Sequence, residues 1–172
     1  MNIPPVDPGY FPPGVIAPIP PGGPTFDGFM TWVINVMGVP SEDMPNDYTL
    51  QVAYDTSLNL AYYGLATVPS QPTSPSLYAV AVYNLGGAML LEIAQDTPPS
   101  TYWTDLRTKL GINSFVFGLI TAAHDQGTSD SLYIPESIRN MTLLDLQLAK
   151  SPWGRMYLML AGEWGTIWGL TR

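Results

Sequence analysis

Apolar and polar residues recur along much of this chain with a helical period. In residues 26–37, Phe26, Phe29, Met30, Val33, Ile34 and Met37 form the stripe of an amphipathic helix, which Gly38 and Pro40 should stop. Between residues 47 and 66, Leu50, Tyr54, Leu58, Ala61, Tyr62 and Leu65 share one face, predicting a second helix opened by Asn46 or Asp47 and ended by Pro69. The stretch 75–95 is apolar nearly all round until Glu92. A helix apolar on every side is buried on every side, so this one is expected at the centre of the domain or under another subunit. Ser74-Pro75 reads as its N-cap and first helical residue. Gly86-Gly87 in its middle costs about 1 kcal/mol per glycine against alanine, which implies close approach of another helix. Further helices are predicted from about Pro99 to Leu110, over residues 136–149, and over 152–165 after Ser151-Pro152.

The period shortens between residues 112 and 134. Phe115, Val116, Phe117, Ile120 and Thr121 favour strand, as do Leu132, Tyr133 and Ile134, and turn formers separate the two groups. A β-hairpin over 112–134 with its loop near 123–129 is the expectation. The first 24 residues follow neither period: they hold nine prolines, four glycines and one charge. Proline fixes φ and removes a donor, so residues 1–24 read as an extended, semi-rigid arm. Its apolar content (Ile3, Val6, Tyr10, Phe11, Val15, Ile16, Ile19) is high for a free linker. It implies docking on a neighbouring subunit or partner, or packing on its own domain. The expected architecture is mainly α: a compact helical domain over residues 25–172 with one hairpin insertion and an extended Pro-rich N-terminal arm.

Composition narrows the function. Only 12% of the 172 residues are charged, against roughly 25% in ordinary domains, while 46% are hydrophobic. With no cysteine and a single histidine, His124, there is no thiol nucleophile, thiolate site or pair of imidazoles for zinc. The net charge of −8 is uneven: residues 1–106 carry nine acids and no Lys or Arg, and all six bases lie in 107–172. Six scattered bases make no phosphate-binding patch, so tight DNA binding is not expected, although an acidic surface suits passive contact with DNA. No secretory signal or membrane span is apparent, and synthesis in the cytoplasm is the default.

Candidate chemistry is thin. Glu42, Asp43 and Asp47 do not follow the calcium-loop spacing and read as a solvated loop. Glu92 and Asp96, four apart on a predicted helix, would share a face and are the residues for a carboxylate-based lytic or carbohydrate-cleaving hydrolase, though no sugar platform accompanies them. His124-Asp125 lies in the expected hairpin turn with no GxSxG nucleophile in the chain. No catalytic residue, metal ligand or cofactor is assigned. The aromatics say more: Trp153, Tyr157, Trp164 and Trp168 crowd the C-terminal end among glycines, as core or as interface.

The run from Ser114 to Leu160 resembles the C-terminal half of a family of tailed-bacteriophage head–tail adaptors, also called neck or connector proteins. The elements that carry the likeness are Gly118–Thr121, Gly127–Ser129, Ser151–Arg155 and the WGLT at Trp168–Thr171. It extends over roughly residues 48–172 and leaves the arm outside. The resemblance implies a structural virion protein, made in the host cytoplasm and ending in the neck. It would form a ring of copies, typically twelve-fold, under the portal protein, would continue the DNA channel with passive contact to DNA, and would present a docking surface to the tail or next neck protein. A tail-completion or capsid-associated binding module is the second reading. Expected contact residues are Tyr10 and Phe11 in the arm, Phe117, Ile120 and Tyr133 in the hairpin, and Trp153, Arg155, Trp164 and Trp168 in the tail. Arg155 would either pair with an acid of the next copy or cap its own fold.

Overall fold

The computed structural model describes residues 22–68, 75–113, 122–125, 128–131 and 141–164. The domain is mainly helical. Helix α1 (Phe26–Trp32) is opened by Thr25, whose hydroxyl accepts the Gly28 amide at 3.1 Å. It widens into a π-type turn over Val33–Met37 and stops at Gly38, whose φ of 76° is cheap only for glycine. Helix α2 (Asp47–Leu60) is capped by Asn46, which accepts from the Thr49 amide at 2.8 Å. It ends short of the predicted residue 66 because Ala61 turns extended; a 3-10 turn over Tyr63–Thr67 then carries Leu65 into the core.

Helix α3 (Leu77–Ile93) is the centre of the domain, with α2 and the C-terminal helix α6 (Pro152–Trp164) packed against it. Its N-cap is Ser76 rather than the expected Ser74: the Ser76 hydroxyl accepts the Ala79 amide at 3.1 Å. Ser76 is itself buried, where an amide left without a partner would cost about 1–3 kcal/mol. Twelve of the 17 residues of α3 are buried, in keeping with its apolar circumference. The glycine pair is where α1 meets it. A Cβ on Gly86 would sit 2.8 Å from the Phe29 ring, and one on Gly87 would sit 2.7 Å from Trp32. Phe29 in turn contacts the rings of Trp32, Tyr54 and Tyr83.

Helix α4 (Tyr102–Leu110) ends at Gly111 with φ 66°, and its Trp103 is fully buried, the indole N–H donating to the Asp43 carbonyl at 2.9 Å. Helix α5 (Leu143–Leu148) opens inside the predicted range 136–149, on a reciprocal capping box between Thr142 and Asp145; residues 136–140 lie outside the described residues. Ser151 starts α6 as expected, accepting the Gly154 amide at 2.9 Å.

The hairpin insertion drawn over 112–134 is corrected. Two four-residue strands, β1 (Ala122–Asp125) and β2 (Thr128–Ser131), pair antiparallel with Asp125 opposite Thr128. They fall largely on positions 123–129, expected to form the loop, and Ile112 is a buried residue in the turn that closes α4. The segments expected to be strands, 115–121 and 132–134, lie outside the described residues.

Candidate interaction surface

Among the described residues, the outward-facing side chains are unusual on one short helix. Helix α5 has the sequence LLDLQL and is built inside out. Leu143, Leu144 and Leu146 are 62%, 50% and 41% exposed, while its one acid, Asp145, is buried. The capping box explains the acid: the Asp145 carboxylate accepts from the Thr142 amide at 2.9 Å and from the Thr142 hydroxyl at 2.6 Å. Satisfying the first turn of the helix in this way holds Asp145 inward and leaves three leucines on the outer side. A short helix facing water would have the opposite pattern.

The neighbouring surface continues the theme. Leu144 flanks a cavity of about 240 Å³ that is lined also by Leu60, Tyr62, Leu85 and Tyr157. On α6, Met156 and Met159, three residues apart on one face, are exposed. Methionine is flexible and polarisable, a common choice where a surface must fit another protein. Hydrogen bonds tie these elements to the rest of the chain: the Tyr157 hydroxyl donates to the Leu60 carbonyl, Gln147 donates to Glu92 at 2.7 Å, and the Lys150 ammonium donates to the Ile112 carbonyl at 3.1 Å.

Of the titratable residues singled out in the sequence, Asp96 and Glu92 have partners that tie elements of the fold together. Asp96 does not share a helix face with Glu92, because α3 ends at Ile93. Its carboxylate instead caps α4, accepting from the Trp103 amide at 2.6 Å and from the Thr104 amide and hydroxyl. The Thr104 hydroxyl is the main cause that holds the Asp96 carboxyl below the usual carboxylate range, with the two amides and the Arg107 guanidinium adding to it. Arg107 closes the other side of the junction by donating to the Leu91 and Ala94 carbonyls at the end of α3. Among the described residues no three His, Asp or Glu side chains gather where they could hold a metal ion, Glu42, Asp43 and Asp47 included. His124 and Asp125 lie in β1, opposite Ser129 and Thr128.

Burial pushes the Tyr54 hydroxyl up to about 12 and raises those of Tyr78 and Tyr157. These phenols are donors that tie chain segments to the core: Tyr54 to the Pro24 carbonyl, Tyr78 to the Leu58 carbonyl.

Of the expected contact residues, Trp153 is half-buried against the core and Arg155 is exposed. The Arg155 guanidinium donates to the Ala149 and Lys150 carbonyls, closing the end of α5 on its own chain. Trp164 is the last residue of α6. Tyr10, Phe11, Phe117, Ile120, Tyr133 and Trp168 lie outside the described residues. The outward leucines of α5 and the methionines of α6 were not among the expected contacts. The signal was present: four leucines in six residues exceed what one face of a helix can bury.

Comparisons with protein-family models, with curated proteins and with solved structures find no match to this chain. Among the described residues no helix is long and apolar enough to cross a membrane.

Proposed function

We propose that this chain is a structural assembly subunit without catalysis, a head–tail adaptor that forms a ring between portal and tail. The observation that carries the assembly half of this reading is the inverted helix α5, with three leucines outward beside Met156 and Met159. Exposed apolar side chains concentrated on adjoining helices suit a surface that another protein covers. Copies of one chain that meet head to tail through such a surface close into rings. The portal and tail as the flanking partners rest on the resemblance at Gly118–Thr121, Gly127–Ser129 and Ser151–Arg155. In this reading the mature location is the virion neck, and the scarcity of bases lets DNA slide past.

Electron microscopy of the chain alone and after mixing with portal tests it. Rings stacked on the portal are expected, and Leu146→Glu with Met159→Glu should abolish them while the monomer keeps its helical circular dichroism. Particles that ignore the portal and join tail or shell components would replace the adaptor reading with a tail-completion or capsid-associated one. A double mutant that assembles normally would overturn the role given to α5 and α6.

A further inference from the structure

The root of the Pro-rich arm is tightly held. The Gly22 carbonyl accepts the Ser76 amide at 3.2 Å, Pro24 accepts from the Tyr54 hydroxyl at 3.0 Å, and the Thr25 amide donates to the Tyr83 hydroxyl at 3.0 Å. Beginning at Gly22 and Gly23, a groove of about 550 Å³ runs between α1 and α3, past Trp32, Val36, Val80 and Tyr83. Its volume lies within the roughly 300–1,000 Å³ of ligand-binding clefts.

Three properties of this groove match one kind of occupant. It has an aromatic wall: the Trp32 and Tyr83 rings stand 6.5 Å apart and inclined by 42°. None of its described lining residues is charged. Trp32 makes ring contacts with Phe29 and Tyr83, yet its indole N–H has no hydrogen-bond partner among the described residues, and no buried side-chain polar atom there is left without one, so this donor reaches solvent. Extended proline-rich chains dock in aromatic-lined grooves, present carbonyls to donors such as an indole N–H, and lose little entropy because they are already stiff. Among the described lining residues no charged side chain is present to pair with a phosphate or other charged ligand.

We propose that the groove between α1 and α3 receives the arm of a second copy of this chain, through residues 10–19 (YFPPGVIAPI). The arm carries a single charge in 24 residues, matching an uncharged groove. At about 3.1 Å per residue, an arm in the polyproline conformation would carry Phe11 roughly 34 Å beyond Gly22. Its own groove begins at Gly22, so in that conformation the apolar stretch around Tyr10 and Phe11 would overshoot it, and Pro20-Pro21 would resist the sharp reversal that self-docking requires. A neighbouring copy's groove is within that reach. Each copy then gives one arm and takes one, a head-to-tail link that chains copies together. This refines the assembly reading above and rests on it only for the presence of neighbouring copies.

The absence of cysteine makes the full-length chain suitable for disulfide mapping. One variant carries Gly14→Cys in the arm; the other carries Asn35→Cys at the groove, where the native side chain donates to the Thr31 carbonyl of its own helix. Mixed under mild oxidation, the two should form a covalent heterodimer at least about tenfold faster than Gly14→Cys mixed with Thr108→Cys on α4, as expected when docking raises the local concentration. Adding Val36→Asp to the groove partner should remove that excess, and because Val36 is 61% exposed the fold is kept; Trp32→Ala should do the same. The proposal is overturned if the double variant Gly14→Cys/Asn35→Cys closes only within one chain at high dilution, or if neither mixture exceeds the α4 control. Rings on the portal without the cross-link would sink the arm and spare the adaptor; cross-linked copies that ignore the portal would do the reverse.

Discussion

Gly154 tests the packing of α6 on α5 most directly. A Cβ built there would lie 2.7 Å from the carbonyl carbon of Leu148 and 2.8 Å from its Cα, and nearer still to its carbonyl oxygen. These are backbone atoms of the last residue of α5, so no side chain can swing aside. Alanine in a helix ordinarily gains about 1 kcal/mol over glycine. Against that stand an overpacking cost of about 1–3 kcal/mol or more and the strain on the Gly154 amide to Ser151 hydroxyl bond, worth about 1 kcal/mol. Gly154→Ala should therefore destabilise the fold by about 2 kcal/mol. For a domain of this size that lowers Tm by roughly 4–8 °C. Gly162→Ala, exposed on the same helix, is the matched control and should stabilise by up to about 1 kcal/mol. Thermal melts followed by circular dichroism, with urea midpoints compared at constant m, measure both. If the two substitutions shift stability in the same direction, the close approach of α6 to Leu148 is wrong.

Trp103→Phe keeps a ring in the core but strands the Asp43 carbonyl, and should cost about 1–3 kcal/mol in urea unfolding, less than the roughly 3–5 kcal/mol of Trp103→Ala. Asp96 has a lowered folded pKa, so the unfolded chain binds its proton first as pH falls. Its stabilisation is present above the ordinary carboxylate pKa and is lost as pH falls through the folded value; Asp96→Asn should flatten the acid limb of a stability–pH curve, and an unchanged limb would contradict the cap. Tyr54 has the opposite sign: its contribution is intact below pH 10 and fades as pH rises toward about 12, so Tyr54→Phe should be weaker at neutral pH yet less sensitive to alkali in the same unfolding assay.

The helical class, the central position of α3 and the meaning of Gly86-Gly87 were legible in the sequence. They depend on local periodicity and on the bare fact that a helix with no polar face must be covered. The stop at Gly38 and the start at Ser151 were legible for a similar reason, since a left-handed φ and an orphaned first-turn amide each demand a particular residue type. Which of two nearby serines caps α3 was not, because either can accept an amide and only the packed position of Ser76 chooses. The end of α2 at Leu60 was equally hidden: the stripe continues through Leu65, but tertiary packing delivers that leucine from a turn.

The carboxylates show the same division. Spacing of four promised Glu92 and Asp96 a common face, yet that inference holds only while the helix continues, and α3 stops between them. Asp96 then serves the amides of α4, seven and eight residues away, and Glu92 meets Gln147 from the far end of the chain. The outward leucines of α5 illustrate the limit most plainly. Their number was visible in LLDLQL, but which side faced water depended on the inward Asp145 of the capping box and on the one face that α6 and α3 leave for Leu148. Composition and periodicity determine which elements form and how much apolar surface must be hidden; only the assembled tertiary structure decides where the remainder is left exposed, because that depends on contacts between residues far apart in the chain.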